Sequence, residues 1–222
     1  MTLDQLPVVV LYELAVKEDK WDEFLLHGKK NLKLSIMTEP ETWALHLMHE
    51  NKQQTGMMFE IYQDLASQKR HQASPQYKKY ASFTQNALVK RQITEFVPEL
   101  LLERFDFLNK DIASHIVIVM KTIELKTASS AAFKAVAFKE AKQSLALEGG
   151  VLARYLLTFK NHPEKWLILE FYFDKKAYKE HLKTPHFATY SSKAASLIVN
   201  EQVRDLVADT LVSQAGLKYE RG

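Results

Sequence analysis

FEIYQDLASQKRHQASPQYKKY (residues 59–80) is followed later in the chain by a related segment, LEFYFDKKAYKEHLKTPHFATY (residues 169–190). Aligned without a gap, the segments are identical at seven of 22 positions, whereas unrelated segments would share roughly one or two. The identical pairs are Glu60/Glu170, Tyr62/Tyr172, Asp64/Asp174, Lys69/Lys179, His71/His181, Pro75/Pro185 and Tyr80/Tyr190. Similar segments precede both copies at nearly the same spacing, so the sequence predicts two homologous halves, 1–108 and 113–222.

Each half has the pattern of strand, helix, strand, strand, helix and strand. The β-branched runs VVVLYEL and HIVIVMKTIEL predict the first strand of each half. Helix-length segments with spaced apolar residues follow at 19–35 and 128–147. The pairs TWALHLMHE with GMMFEIY, and VLARYLLTF with EKWLILEFYF, predict two antiparallel hairpins.

Helix-capping residues occur twice in each copy of the repeated segment. Asp64 and Asp174 directly follow a strand, where a carboxylate accepts hydrogen bonds from the free N–H groups of a helix start. Ser74-Pro75 and Thr184-Pro185 each place a hydroxyl N-cap before a proline at the first helical position. Each copy therefore predicts a short helical turn, a break and a longer helix, over 75–90 and 185–199.

The order of elements predicts an α+β fold made of two ferredoxin-like βαββαβ repeats. A four-stranded sheet with helices on one face must cover its other face. Two repeats do so when their antiparallel sheets pack together, which predicts a pseudo-dimeric α+β barrel within one chain. A further homodimer of this barrel stays open.

Composition narrows the classes of function. The 222 residues carry a formal charge of only +3, and acidic and basic side chains are interleaved, which argues against a nucleic-acid surface. The absence of cysteine excludes disulfides and thiolate metal sites and is typical of a cytoplasmic protein. No signal peptide, transmembrane run or nucleotide-binding glycine motif is recognisable, so neither a membrane nor a nucleotide is an expected partner.

The motif E-x-Y-x-D-x4-K-x-H-x3-P, behind a β-branched first strand and VKEDKWDEF, resembles the antibiotic biosynthesis monooxygenase family. The resemblance covers both halves and implies a tandem fusion of two domains of the dimeric α+β barrel superfamily. It also implies relatives among cofactor-less quinol monooxygenases, autoinducer-2-processing proteins and haem-degrading enzymes. The first strand lacks asparagine and neither second helix contains tryptophan, which disfavours haem cleavage.

His71 and His181 are the predicted catalytic residues, because histidine exchanges protons near neutral pH. The resemblance implies that this histidine lies at a cavity between sheet and helices. The alternative is a structural histidine that hydrogen-bonds a backbone carbonyl and orders the helix break.

Substrate-binding candidates lie on the strands of the hairpins. Glu60 with Tyr62, and Glu170 with Tyr172, alternate along a strand and so share one face. They either hydrogen-bond a substrate or join the two sheets. Trp43 and His46 on the second strand predict that the first half has the more polar pocket, because Ala153 and Leu156 align with them in the second half. The H-x-x-H spacing of His46 and His49 does not converge on a strand, so no metal site is expected.

The resemblance implies an oxidoreductase: a cofactor-independent monooxygenase that oxidises a small aromatic or quinol-like substrate with O2. One alternative is an isomerase or signal-processing enzyme with the same fold. Another is a non-catalytic, ligand-binding stress protein.

Overall fold

The computed structural model describes residues 6–50, 54–105 and 115–222. The predicted boundaries at 108 and 113 lie outside these residues. The chain divides into two compact units, which we call unit 1 (residues 1–96 and 207–214) and unit 2 (residues 97–206 and 215–222). In the described part of the chain, no helix has both the length and the apolar character needed to cross a membrane.

The first repeat has the predicted βαββαβ order. Its elements are β1 (Val8–Val16), α1 (Trp21–Thr38), β2 (Thr42–Glu50), β3 (Thr55–Tyr62), α2 (Leu65–Ala73), α3 (Pro75–Ala87) and β4 (Leu88–Glu103). In unit 1, β1 lies between β3 and β4, and β2 forms an antiparallel hairpin with β3.

The second repeat has the same order and ends with one additional strand. Its elements are β5 (Val117–Leu125), α4 (Ser130–Leu147), β6 (Val151–Phe159), β7 (His162–Tyr172), α5 (Lys175–His181), α6 (Pro185–Ala195), β8 (Ile198–Ser213) and β9 (Lys218–Glu220). In unit 2, β5 lies between β7 and β8, and β6 pairs with β7. Two βαββαβ repeats of the α+β class are therefore confirmed.

The compact units do not follow the sequence halves. The long strands β4 and β8 are each divided, so residues 97–103 belong to unit 2 and residues 207–213 belong to unit 1. The backbone N–H of Gln214 donates to the carbonyl of Trp43 in unit 1, with N and O 2.8 Å apart. In unit 2, the N–H of Arg104 donates to the carbonyl of Leu152 at 2.9 Å.

The predicted helix caps are confirmed in both repeats. The side chain of Asp64 accepts from the backbone N–H of Ser67, and Asp174 accepts from that of Ala177, each at 2.7 Å. The hydroxyls of Ser74 and Thr184 cap α3 and α6. The motif thus determines where each of these helices begins and separates α2 from α3, and α5 from α6.

Each unit has a core between its sheet and its helices. In unit 1, Phe24 and Leu32 of α1 pack with Leu45, Leu47, Met58 and Tyr62. In unit 2, Phe133 of α4 packs with Leu156, Trp166 and Ile168. The size of any cavity between sheet and helices therefore depends on the strand side chains that face the helices.

Candidate active site

A cavity of about 220 Å³ lies in unit 1 between α3 and the helix-facing side of β1, β3 and β4. Its polar lining consists of Tyr12, Glu60, Tyr77, Tyr80, Thr84, Gln85 and Arg91, and its apolar lining of Leu14, Met58, Ala81 and Leu88. The strand register explains the convergence, because Tyr12 pairs with Met58 and Leu14 with Arg91. Cross-strand partners share one face of a sheet.

Glu60 supplies the acidic group of this cavity. Its side chain is only 5% exposed, and one carboxylate oxygen accepts a hydrogen bond from the Tyr62 hydroxyl at 2.7 Å. Burial raises the pKa of Glu60, while the nearby charge of His71 and the Tyr62 hydrogen bond oppose that rise. Among the described residues no basic side chain lies within ion-pair distance of Glu60. This carboxyl therefore binds a proton more readily than an exposed one.

Three tyrosines surround the same space. Burial raises the pKa of Tyr12, Tyr77 and Tyr80, and the negative charge of Glu60 raises each pKa further. All three phenols are consequently neutral donors at physiological pH. The Tyr80 hydroxyl is buried and has no hydrogen-bond partner among the described residues, so it is available to a polar group inside the cavity.

His71 does not line the cavity; its ring centre lies 5.4 Å from that of Tyr62. It is fully buried, and its Nδ1 lies 2.8 Å from a carboxylate oxygen of Glu39 at the end of α1. The partner is thus a carboxylate and not the backbone carbonyl of the structural alternative. Nε2 is buried without a partner among the described residues. With a carboxylate oxygen as its partner, Nδ1 carries a hydrogen and donates to Glu39.

Trp43 and His46 do not line the cavity. Trp43 is half-buried at a register shift in β2. His46 pairs with Phe59, so it lies on the opposite face of the sheet from Glu60. Burial lowers the pKa of His46 to about 3, and the ring is neutral. The register also corrects the alignment of the halves, because the counterparts of Trp43 and His46 are Leu152 and Tyr155.

Unit 2 fills the corresponding space with its own charged side chains. By register, Glu170 corresponds to Glu60, Lys121 to Tyr12 and Arg154 to Leu45. Glu140 occupies the position in α4 that Asn31 occupies in α1. These three replacements introduce two cations and one carboxylate, and all of them are buried.

The charges of unit 2 form a connected network around Glu170. Its carboxylate lies 3.0 Å from Lys121 Nζ and 3.1 Å from Arg154 Nη2, and it accepts from the Tyr172 hydroxyl at 2.9 Å. Arg154 also pairs with Glu140. Burial alone would raise the pKa of Glu170, but Arg154 and Lys121 lower it to about 2. Glu170 is therefore ionised at neutral pH, and its cationic partners are side chains of the same unit.

His181 takes part in the same network. Its Nδ1 lies 3.0 Å from Glu148 and its Nε2 lies 3.5 Å from Glu140. Burial lowers the pKa of His181, and the adjacent Arg154 lowers it further. In unit 1 the matching atoms, His71 Nε2 and Asn31 Oδ1, are both buried without partners in the described part of the chain.

Glu140, His181 and His186 could hold a metal ion by spacing, because their ligand atoms lie within 4.8 Å of one another. However, Arg154 Nη1 is 3.5 Å from His181 Nε2, and its guanidinium repels a cation placed there. Glu148 also binds His186 Nε2 at 2.6 Å. The arrangement favours an internal ion network over a metal centre.

Glu60, Tyr62 and His71, which were all named from the sequence, lie close to one another, but sequence reasoning missed several residues around them. Tyr12, Arg91 and the partner Glu39 were not identified. Alignment of α1 with α4 would have revealed Glu39 and Glu148 at equivalent positions before the second strand. Arg91 carried no local signal, because it is one charge in an exposed run of β4.

Comparisons with known proteins agree with this architecture. The family model described as antibiotic biosynthesis monooxygenase matches residues 7–82 and 116–193. A proposed monooxygenase from Lactobacillus acidophilus NCFM is 22% identical with a TM-score of 0.91, and the match covers 97% of this chain and 100% of that one. A proposed monooxygenase from Fusobacterium nucleatum is 18% identical with a TM-score of 0.89, covering 97% and 98%.

A more distant likeness is to an anthrone oxidase-like protein, at 10% identity and a TM-score of 0.60, covering 99% and 97% of the two chains. No curated protein matches the sequence. These full-length likenesses show the fold, and they confirm the predicted class of pseudo-dimeric α+β barrel.

Proposed function

Because the chain belongs to the antibiotic biosynthesis monooxygenase family, we propose that unit 1 oxidises a small electron-rich phenol or quinol with O2. The reaction uses no metal or flavin. In this proposal unit 2 carries out no reaction, because buried ion pairs fill the space that corresponds to the Glu60 cavity.

The observation that carries this proposal is the Glu60 cavity. It combines apolar side chains, neutral tyrosine donors and a carboxyl whose pKa is raised by burial. A carboxylate with a raised pKa is a stronger base than an exposed one and suits proton abstraction from a phenol. The aliphatic and aromatic side chains of the lining also limit the access of water to a reactive carbanion or radical.

In the proposed reaction, the substrate phenol donates its O–H proton to Glu60 as electrons pass from the ring to O2. One oxygen atom forms a bond to a ring carbon, and the ring C–H and phenol O–H bonds break. The other oxygen atom leaves as water after taking up both protons, one of them returned by Glu60. The balance is phenol plus O2 giving quinone plus water, with the substrate as the only reductant.

Tyr62 and His71 act on Glu60 from behind the cavity. The Tyr62 hydroxyl holds one carboxylate oxygen, which leaves the carboxyl oriented toward the cavity. The charge of His71 opposes the rise in the pKa of Glu60. In this scheme His71 is a positioning residue, whereas Glu60 is the catalytic residue.

Oxygen uptake with a panel of hydroquinones and hydroxynaphthalenes tests the proposal, with protein-free solutions as the correction for autoxidation. We expect saturable uptake by the wild type. Glu60→Gln should lower kcat by about 100-fold or more, since a general base contributes roughly that factor. Glu23→Gln, an exposed change on α1, is the matched control. Uptake that is unaffected by Glu60→Gln would contradict the proposal.

An isomerase that shuttles protons through Glu60 is the second candidate, favoured by the same raised pKa. Strict anaerobiosis separates the two functions. Turnover that persists without O2 supports the isomerase, and turnover that stops supports the monooxygenase.

A further inference from the structure

Arg91 lies at the opening of the Glu60 cavity. It is exposed on β4, it lines the cavity, and its guanidinium carbon lies 5.9 Å from the centre of the Tyr12 ring. Among the described residues it has no carboxylate partner within ion-pair distance. The guanidinium of Arg91 is therefore available to bind an anion at the opening of the cavity.

The cavity carries a gradient of polarity from mouth to base. The Arg91 charge lowers the pKa of both Tyr12 and Tyr77 against the stronger effect of burial, so its field reaches both hydroxyls. At the base, Glu60 accepts a proton readily, because burial raises its pKa. A ligand with an anionic end and a phenolic end matches both features when the anion faces outward.

The second repeat supports a ligand-related role for Arg91. The position that corresponds to Arg91 is Glu201, since Leu14 pairs with Arg91 and Ile123 pairs with Glu201. The unit with an open cavity thus has a cation at this position, and the unit whose cavity is filled has an anion. If Arg91 served only the fold, which both repeats share, the opposite charge at the equivalent position would have no explanation.

The cavity volume limits the size of the ligand. An apolar cavity of about 150 Å³ holds benzene. A cavity of about 220 Å³ has room for one substituted ring or two fused rings. Larger fused-ring systems require the cavity to widen.

We propose that the ligand of unit 1 is a one- or two-ring phenol bearing a carboxylate or similar anionic group, with Arg91 binding the anion at the mouth and the phenol facing Glu60. The inference rests on the proposed role of the Glu60 cavity as the substrate site. It makes Arg91 the residue that determines specificity within that site.

The test compares charged ligands with uncharged isosteres by isothermal titration. The probes are 4-hydroxyphenylacetate with 4-hydroxyphenylacetamide, and 6-hydroxy-2-naphthoate with 6-hydroxy-2-naphthamide. We expect the wild type to prefer each carboxylate by about tenfold, the scale of one charge-assisted hydrogen bond at a partly solvated site. Arg91→Gln should remove the preference, and Arg91→Lys should retain part of it.

Lys90→Gln is the matched control, because it removes one positive charge from the adjacent exposed position, which does not line the cavity. It should keep the tenfold preference. Equal affinity of the wild type for acid and amide, no binding of either, or an Arg91→Gln variant that keeps the preference would overturn the inference. Preferential binding without O2 uptake would overturn only the monooxygenase proposal. Uptake of neutral quinols without any acid preference would overturn only the role of Arg91.

Discussion

Glu60 and Glu170 occupy the same position of the two repeats, yet Glu170 lies 3.0 Å from Lys121 Nζ whereas Glu60 lines a cavity. Both carboxyls accept a hydrogen bond from the tyrosine two residues later. The pKa of Glu60 is raised and that of Glu170 is lowered. The same fold position therefore carries a carboxyl with a raised pKa in unit 1 and one with a lowered pKa in unit 2.

Replacement of the two carboxyls by amides should have unequal effects on stability. Glu170→Gln removes one partner of a buried ion network and should lower the free energy of unfolding by about 3–5 kcal/mol. Glu60→Gln keeps an acceptor for Tyr62 and removes a buried charge, so the free energy of unfolding should stay unchanged or rise. Urea denaturation at pH 7 measures both, and equal losses would contradict the assigned states.

The pH dependence of stability should have opposite signs at the two sites. The folded pKa of Glu170 is about 2 against an ordinary value of 4.5, so its stabilisation is complete above 4.5 and is lost as the pH falls toward 2. The difference between wild type and Glu170→Gln should shrink over that window.

For Glu60 the folded pKa lies above 4.5, and the folded state holds the proton more tightly than the unfolded state. The cost of its burial is absent in acid and appears as the pH rises above 4.5. Any gain in stability from Glu60→Gln should therefore vanish below about pH 4. A gain that grew in acid would show that the sign is wrong.

Transplanting the network of unit 2 should close the cavity of unit 1. The triple variant Tyr12→Lys, Asn31→Glu and Leu45→Arg reproduces the side chains that surround Glu170. It should fold, because the same set packs in the second repeat, and it should lose all binding of 4-hydroxyphenylacetate. Circular dichroism confirms the fold and titration measures the binding. Undiminished binding would place the ligand elsewhere.

The histidine of the motif should also contribute to stability through its carboxylate partner. Glu39 binds His71 at 2.8 Å and accepts from Gln76 at 2.6 Å and from Thr42 at 2.9 Å. Glu39→Ala should lower the free energy of unfolding by about 2 kcal/mol, since hydrogen bonds to charged groups contribute roughly 1.5–3 kcal/mol. Glu23→Ala on the exposed face of α1 is the control and should change it little. Equal effects of the two variants would show that the Glu39 contacts are not stabilising.

The sequence allowed the scaffold to be predicted because the scaffold is what the two halves share. Asp64, Ser74-Pro75 and their copies have local capping signals, and the observed helices begin at those residues. The site depends on residues that differ between the halves, such as Leu45 against Arg154. A search for identities overlooks these positions. The one available signal was a buried charge in an apolar strand, as in VLARYLLTF with Arg154.

Arg91 and the cavity itself were beyond sequence reasoning for a different reason. A cavity is the space left after side chains from β1, β3, β4 and α3 have packed, and no periodic pattern encodes that remainder. Glu60 was recognised as a candidate from the sequence. That it has no cationic partner within the described part of the chain could not be foreseen, because this depends on Tyr12 and Leu45 on neighbouring strands, where unit 2 has Lys121 and Arg154.

The most direct test of the central claim is oxygen uptake by the wild type and by the Tyr12→Lys, Asn31→Glu, Leu45→Arg variant, measured side by side with 6-hydroxy-2-naphthoate and a hydroquinone. We expect saturable uptake by the wild type and none above the protein-free rate by the folded variant. Equal uptake by both proteins, or none by the wild type, would contradict it.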